Sequence, residues 1–180
     1  DSVASRGLGD VYKRQDKDWI IAVMHHAPYA QSSHAMKDSD VKRLREGLAP
    51  VFSEAGVDMV MSGHDHMYNR THLMNGLTPT APDAYPASGD VLKPKAGEVM
   101  YVTTTTAGGG KYYNFHSPDG EEHPQYTSYT QTRDTGLQAK EIAIWTQDKT
   151  PDYAVVDVDK NTLTMRCLLY TSPSPRDATL

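Results

Sequence analysis

Two histidines, His64 and His66, stand two positions apart in the motif Gly-His-Asp-His at residues 63–66. Neutral imidazole is among the commonest metal ligands in proteins. In an extended turn, side chains two positions apart can reach two neighbouring metal ions, whereas a helical pair four positions apart would chelate a single ion. A polar loop that happens to carry two histidines is the alternative interpretation of this motif taken alone.

A second pair of histidines, His25 and His26, strengthens the metal interpretation. The pair follows an apolar run at 19–24 (WIIAVM), just as the GHDH motif follows an apolar run at 57–62 (VDMVMS). Apolar runs of this length predict buried strands. The carboxyl ends of parallel strands lie at one edge of a sheet, where open α/β sheets place their sites. We therefore expect His25 and His64 to converge. A polar strand end without a ligand role is the alternative for His26.

The segment between these two strands predicts a helix. Asp38 or Ser39 can cap its start, apolar residues then recur at three- and four-residue spacing, and Gly56 is typical of a helix end. Pro50 should kink the helix or start a second short turn. Strand, helix and strand form a βαβ unit, which predicts a parallel or mixed sheet.

The remainder of the chain predicts mainly strands. Residues 75–97 are rich in Pro, Gly, Ala and Thr and predict a long surface excursion. Four further strands are predicted at residues 98–104, 139–145, 152–157 and 162–165. The predicted fold class is therefore α/β (α+β), a βαβ unit followed by a mainly β C-terminal part.

Both ends of the chain look foreign to the rest of it. Residues 5–15 read SRGLGDVYKRQ, residues 167–176 read CLLYTSPSPR, and the two strands of one DNA segment can encode both. The pair resembles a sequencing-library adaptor translated at each end of a short insert. We therefore assign residues 1–15 and 167–180 to non-native tails, and residues 16–166 to an internal native fragment. Such tails should pack poorly, and their removal should leave thermal stability unchanged or improved.

The composition narrows the class of protein. The 180 residues carry a formal net charge of −5, which provides no basic surface for nucleic acid. No apolar run reaches the roughly 20 residues of a membrane helix. The single cysteine, Cys167, falls in the C-terminal tail, so a metal would need nitrogen and oxygen ligands. We expect one domain with a small-molecule substrate and with neither a nucleic-acid nor a membrane partner.

Taken together, these motifs resemble those of a known family. The sequences WIIAVMHHAPYA at 19–30 and GHDHMYNRT at 63–71 resemble the last two metal motifs of the purple acid phosphatases, a branch of the calcineurin-like metallophosphoesterases. His34, the helix, the strand at 98–104 and the closing strands follow in the family's order. The resemblance implies a partial metallophosphoesterase β-sandwich flanked by helices, with residues 16–166 as its C-terminal half.

The resemblance also implies a metal centre with two ions, iron together with Zn, Mn or a second Fe. His25 and His64 would bind the exchangeable divalent ion, and His66 would bind the other. Ala22 stands where the family motif has valine, so a register shifted by one residue, with His26 in place of His25, is the alternative.

Two more residues match family positions beside the metal ligands. His34 matches a histidine that contacts phosphate or protonates the leaving oxygen, with a solvated loop histidine as the alternative. Arg70 matches an arginine that trails the GHxH motif, after the aromatic residue Tyr68, and is predicted at the substrate. A structural ion-pair partner is the alternative for Arg70.

The implied activity is metal-dependent hydrolysis of phosphoric monoesters, as in acid phosphatases. The family draws an aspartate that bridges the metals, a second Asp, a Tyr and an Asn from earlier motifs, so we expect the fragment alone to be inactive. A phosphodiesterase, nucleotidase or nuclease of the same superfamily is the first alternative, and a non-enzymatic β-rich binding module is the second. The resemblance alone suggests a secreted or periplasmic location.

Overall fold

The computed structural model describes residues 17–84, 89, 91–108, 110–169, 172–173 and 178–179. The N-terminal tail predicted at residues 1–15 lies outside the described residues. The strands are β1 Ile21–His26, β2 Met59–Gly63, β3 Tyr68–Asn75, β4 Thr78–Pro79, β5 Glu98–Thr103, β6 Ile142–Thr146, β7 Asp152–Val158, β8 Leu163–Leu169, β9 Ser172–Pro173 and β10 Ala178–Thr179. The helices are α1 Ser33–Lys37 and α2 Ser39–Glu54, with a 3-10 turn at Tyr129–Gln131. No helix in these ranges is both long and apolar enough to cross a bilayer.

The predicted βαβ unit is present. Strands β1 and β2 pair in parallel, with Ile21 opposite Met59, and α2 connects them. Strand β5 joins β2 in parallel on its other side, with Met59 opposite Met100. The order of the first sheet is β1-β2-β5-β3-β4, and β6 also pairs with β3. Because β3 runs antiparallel to β5 and β6, the sheet is mixed.

Helix α2 ends at a glycine, as the sequence predicts, and runs through Pro50 without interruption. Gly56 has a φ of +66°, its N–H donates to the Ser53 carbonyl at 3.3 Å, and the next N–H donates to the Phe52 carbonyl at 3.0 Å. This pair of bonds is a Schellman motif, which a left-handed glycine permits. The helix is continuous through Pro50, so no second turn starts there, and the kink stays a prediction. The carbonyl that loses its donor belongs to Glu46, which is exposed and can bind water instead.

Strand β3 was not predicted from the sequence. Four consecutive polar residues at positions 69–72 give it neither a continuous apolar run nor a clean alternation. All four are nevertheless buried, because β3 has neighbours on both sides, β5 on one and β4 and β6 on the other. The position of the strand within the sheet, rather than its own hydrophobicity, therefore determines its burial.

The second sheet packs against one face of the first. It contains β7, β8, β9 and β10, with β8 as its central strand. Leu163 and Met165 of β8 are fully buried in one apolar cluster with Met59 of β2 and Met100 of β5. The other face of the first sheet contributes residues such as Trp145 to a second cluster, which α2 and the 112–139 segment cover. The predicted β-sandwich flanked by helices is thus confirmed.

Strand β8 crosses the boundary that the sequence analysis places after Arg166. Cys167 is fully buried and pairs with Ala154 of β7, so the expectation that the C-terminal tail packs poorly is wrong at this residue. Strand pairing uses backbone groups, which every residue type supplies, and cysteine behaves as a small apolar side chain in a core. The assignment of residues 167–180 to a non-native tail rests on the DNA-level pattern and stays a prediction.

Leu163 offers a direct test of the packing between the two sheets. We expect Leu163→Ala to lower the free energy of unfolding by about 2–5 kcal/mol, because it opens a cavity in the apolar cluster. Val158→Ala, at the half-exposed end of β7, is the control and should change it by less than about 0.5 kcal/mol. Urea unfolding measures both, and equal effects would show that β8 does not pack on the first sheet.

His72 of β3 should make the stability depend on pH. Burial, with a smaller contribution from the charge of Arg70, lowers its pKa to about 4, and Asp83 opposes the shift. Between pH 6.5 and pH 4 the unfolded chain binds the proton more readily than the folded one, so stability falls as the pH falls. The expected slope is at most about 1.4 kcal/mol per pH unit.

Urea unfolding between pH 4 and pH 7 measures this contribution. His72→Gln should flatten the dependence of the unfolding free energy on pH, because glutamine does not titrate. Thr80→Ala, which changes a non-titrating residue on the same small cavity, should keep the slope. An unchanged slope in His72→Gln would contradict the assigned cause.

Candidate metal centre

A β-bulge at the end of β1 brings two histidines to the same place. The register with β2 steps from Met24 directly to His26, which pairs with Gly63, and this leaves His25 as an extra residue. Bulges re-aim side chains and are frequent next to active sites. The rings of His25 and His26 have their centroids 5.0 Å and 4.5 Å from that of His64. Both strand-end histidines therefore face the first histidine of the GHDH motif.

The closest ring nitrogens in this group are spaced like ligands of one metal ion. His25 Nε2 lies 3.1 Å from His64 Nδ1. Two nitrogens bound at 2.0–2.1 Å to one tetrahedral Zn²⁺ would lie about 3.4 Å apart. The convergence expected from parallel strand ends is therefore found for His25 and His64, and the donor spacing fits a metal. Coordination by them, and the choice of His25 over His26, stay predictions.

The turn after β2 is strained at a histidine. His64 has a φ of +64°, and among the described non-glycine residues only Lys149 also has a positive φ. Gly63, in contrast, has room for a side chain, since an added Cβ would lie 3.8 Å from the His25 carbonyl oxygen. The turn therefore does not require a glycine at position 63. His64 itself carries the unfavourable backbone conformation, of a kind that persists mainly at functional sites.

Helix α1 places His34 in the cluster. Its ring centroid is 4.5 Å from that of His64 and 5.2 Å from that of Tyr113. His34 Nδ1 lies 2.8 Å from a carboxylate oxygen of Asp38, one helical turn later. A carboxylate can only accept, so His34 Nδ1 carries the proton and Nε2 is left for other partners. The structure thus places His34 beside His64 and not on an isolated loop.

The loop that contains Lys111 orients the ring of His66, and no sequence motif predicts this contact. The Nδ1–H of His66 donates to the carbonyl of Lys111 at 2.6 Å, which leaves Nε2 as the nitrogen available to a ligand. Gln147, which is buried, donates to the carbonyls of both His66 and Tyr113, at 2.6 Å and 2.8 Å. Neither Lys111 nor Gln147 has a motif that would reveal this role, because the contacts use backbone carbonyls.

Asp65 lies between the two histidines of the motif and is completely buried. Neither of its carboxylate oxygens has a hydrogen-bond partner of normal geometry among the described residues. Burial raises its pKa to about 6, although the nearby Ser32 hydroxyl, the charge of His34 and the Ala35 amide oppose the shift. One oxygen of Asp65 and one ring nitrogen each of His34 and His64 lie within 4.8 Å of one another. Asp65 was not predicted as a site residue.

The cluster favours neutral imidazole at its centre. Burial is the largest cause that lowers the pKa of His64, and repulsion from four neighbouring histidines, His34 first among them, adds to it. Because a histidine must be deprotonated at the coordinating nitrogen, these effects favour the form that binds a metal.

Arg70 is placed differently from the histidines. It lies within β3, is almost completely buried, and pairs with Val102 and Ile144 on the neighbouring strands. Its side chain lines a small cavity together with His72 and other residues of the 70–92 segment, and none of the predicted histidine ligands lines that cavity. The structure therefore brings His25, His34, His64 and His66 to one region, whereas Arg70 lines a different, small cavity.

Comparison with known proteins finds similarity to phosphoesterases. The family model described as "Calcineurin-like phosphoesterase" matches residues 3–68, which include β1, α2, β2 and the GHDH turn. Purple acid phosphatase 17 of Arabidopsis thaliana is 35% identical over 98 residues, which are 54% of this chain and 26% of that protein. The chain therefore resembles the calcineurin-like phosphoesterases over residues 3–68 and a purple acid phosphatase over 98 residues. The matched range starts within the segment assigned to the N-terminal tail, so the boundary at residue 15 stays a prediction.

Two further similarities extend the comparison. An uncharacterized protein of Mycobacterium tuberculosis (strain ATCC 25618 / H37Rv) is 27% identical over 106 residues, which are 57% of this chain and 19% of that protein. The structure of purple acid phosphatase PPD1 from yellow lupin (Lupinus luteus) seeds is similar, with a TM-score of 0.57 and 14% sequence identity. The match covers 99% of this chain and 28% of the lupin chain. At that identity the likeness concerns the fold. The chain thus spans less than a third of each of the three proteins named above.

The backbone strain at His64 can be measured by substitution. We expect the metal-free protein to be more stable with His64→Gly than with His64→Ala, by up to about 1 kcal/mol, because only glycine adopts a positive φ without cost. At His34, which is helical, the same pair should show the reverse order, since glycine disfavours a helix. Urea unfolding with a chelator present compares the four variants, and an alanine preference at both positions would contradict the strain.

Proposed function

We propose that the chain supplies one side of a dinuclear metal centre that hydrolyses small phosphoric monoesters. The observation that carries this proposal is the 3.1 Å separation of His25 Nε2 and His64 Nδ1 at two parallel strand ends. The available Nε2 of His66, on the adjacent loop, and the purple acid phosphatase similarity support it.

His25 and His64 would hold the exchangeable divalent ion, and His66 would hold the second ion. When bound, two such ions neutralise phosphate charge and lower the pKa of a water molecule. Iron with Zn, Mn or a second Fe is the pair that the family resemblance suggests. The fit rests on the ring-nitrogen spacing, on the low pKa of His64 and on the proton that Lys111 fixes at Nδ1 of His66.

His34 would act on the substrate from the next element. With Nδ1 donating to Asp38, its Nε2 can contact a phosphate oxygen or carry the proton that the leaving oxygen takes. The short helix α1 and the ring of Tyr113 restrict its orientation. His34 would therefore affect turnover without holding a metal in the complete centre.

The chain alone would lack the ligands for both ions. Two cations held close together need an anionic group between them, and His25, His64 and His66 supply only neutral nitrogen. The chain spans 26% of the Arabidopsis relative, which leaves room for such ligands elsewhere in a longer protein. Phosphodiester or nucleotide hydrolysis by the same superfamily is the alternative, and the substrate profile of the longer protein separates the two.

The test compares the 180-residue chain with a longer protein that includes the preceding coding sequence. With Zn, Mn or Fe, only the longer protein should hydrolyse a generic aryl phosphate, and a chelator should abolish the reaction. His64→Ala and His66→Ala should each reduce kcat/KM by more than about 100-fold, beyond the 10- to 100-fold typical of residues behind a metal ligand.

Two controls give this test its specificity. His34→Ala should lower kcat while the metal content, measured by elemental analysis, stays the same. His123→Ala, at a histidine bonded to Ser117 away from the cluster, should leave both unchanged. A longer protein without phosphatase activity in any of these metals would contradict the proposal, as would chelator-sensitive activity from the 180-residue chain.

A further inference from the structure

We propose that the 180-residue chain by itself binds one divalent transition-metal ion through His34, His64 and Asp65. This would be a site of two histidines and one carboxylate, which shares His64 with the ligand set implied by the purple acid phosphatase resemblance but adds His34 and Asp65. The inference goes beyond the proposed function and does not rest on it, since it concerns metal binding by the described residues alone.

The geometry of the three groups supports a single ion. One potential ligand atom from each lies within 4.8 Å of the others. Ligands bound at 2.0–2.2 Å around one ion lie about 3 Å apart at right angles and about 4 Å apart when opposite each other. Side-chain adjustments of about 1 Å would therefore complete the site. His66 does not belong to this group of three.

The strongest reason is the environment of Asp65. Its side chain is completely buried, yet neither oxygen has a hydrogen-bond partner of normal geometry in the described part of the chain. A buried, unpaired carboxylate is costly, and an unfilled group of this kind calls for an ion or a water molecule. The Ser32 hydroxyl and the Ala35 N–H lie near Asp65, but neither makes a hydrogen bond of normal geometry with it.

The surrounding residues prepare His34 for the same ion. Asp38 accepts from His34 Nδ1 and directs Nε2 away, the arrangement of carboxylate behind histidine that is common at metal ligands. A nitrogen and oxygen donor set of two histidines and one carboxylate suits Zn²⁺, Mn²⁺, Fe²⁺ and Co²⁺.

The proposed site shares His64 with the ligand set of the proposed dinuclear centre. Among the described residues, Asp65 is the carboxylate that has an oxygen within 4.8 Å of ring nitrogens of both His34 and His64. In the 180-residue chain it would therefore provide the anionic ligand. The first ion to bind this chain should therefore depend on Asp65 and His34. In a longer protein, by contrast, His25 and His66 should determine metal content.

Titration of the 180-residue chain with Zn²⁺ and Co²⁺ tests the proposal. Calorimetry should give one equivalent of Zn²⁺, and Co²⁺ should produce a visible absorption band. Asp65→Asn and His34→Ala should each weaken Zn²⁺ binding at least about tenfold, as expected for loss of a ligand. His123→Ala is the neutral control. His25→Ala and His66→Ala should cause smaller losses than Asp65→Asn.

Thermal unfolding provides a second readout that separates a ligand from a structural residue. Zn²⁺ should raise the melting temperature of the wild-type chain, and Asp65→Asn should remove that shift without lowering the melting temperature in chelator. Asparagine keeps the size of the side chain and removes the buried charge.

Three results would overturn the proposal. They are absence of Zn²⁺ binding, unchanged binding in Asp65→Asn, and a loss in His25→Ala or His66→Ala as large as in Asp65→Asn. None of them bears on phosphatase activity of a longer protein, so failure here and failure of the proposed function are distinguishable.

Discussion

The site depends on the parallel pairing of β1 with β2. That pairing places the carboxyl ends of both strands at one edge of the sheet. A β-bulge there inserts His25 as an extra residue in β1. Without the bulge, His25 and His26 would point to opposite faces of the strand. With it, the ring centroids of His25 and His26 lie 5.0 Å and 4.5 Å from that of His64. The two apolar clusters on either side of the sheet hold these strands in register.

Around this edge, backbone and buried polar contacts hold the loops that complete the cluster. Gln31 is fully buried, donates to the His116 carbonyl at 2.7 Å and accepts from the Ala139 N–H at 2.6 Å. Its own N–H donates to the Asn69 side chain in β3, at 2.9 Å. Satisfied buried networks of this kind rigidify the segments they join. Gln31 therefore joins the segment around His116 to Ala139 and to β3.

Electrostatics and strain act in the same direction at the centre of the cluster. Crowding of imidazole rings and burial disfavour a charged His64, and the tight turn forces its backbone to a positive φ. Both effects cost stability in the absence of a ligand. A bound cation would use the neutral nitrogen and offset the unpaired charge of Asp65, so the arrangement is understandable as one prepared for a metal.

Much of this could be predicted from local patterns in the sequence. The apolar run before His25, the periodic helix and the Gly56 cap lead to the βαβ unit, because each signal is contained within a few residues. Strand β3 could not be predicted in this way, since its burial comes from partners far along the chain.

The same distinction holds for the site. The spacing of the histidines predicts that they lie together, as the structure shows, whereas spacing does not reveal the burial of Asp65 or the hydrogen bonds of Gln147. The continuation of β8 through Cys167 was missed for a related reason, because strand pairing is insensitive to the identity of the side chains that it orders.

Anomalous diffraction from crystals of the 180-residue chain grown with Zn²⁺ tests most directly whether this strand edge is a metal site. The account predicts an anomalous peak about 2 Å from a ring nitrogen of His64, at the carboxyl ends of β1 and β2. A peak confined to His72, His116 or His123, or the absence of any peak at this edge of the sheet under saturating Zn²⁺, would contradict it.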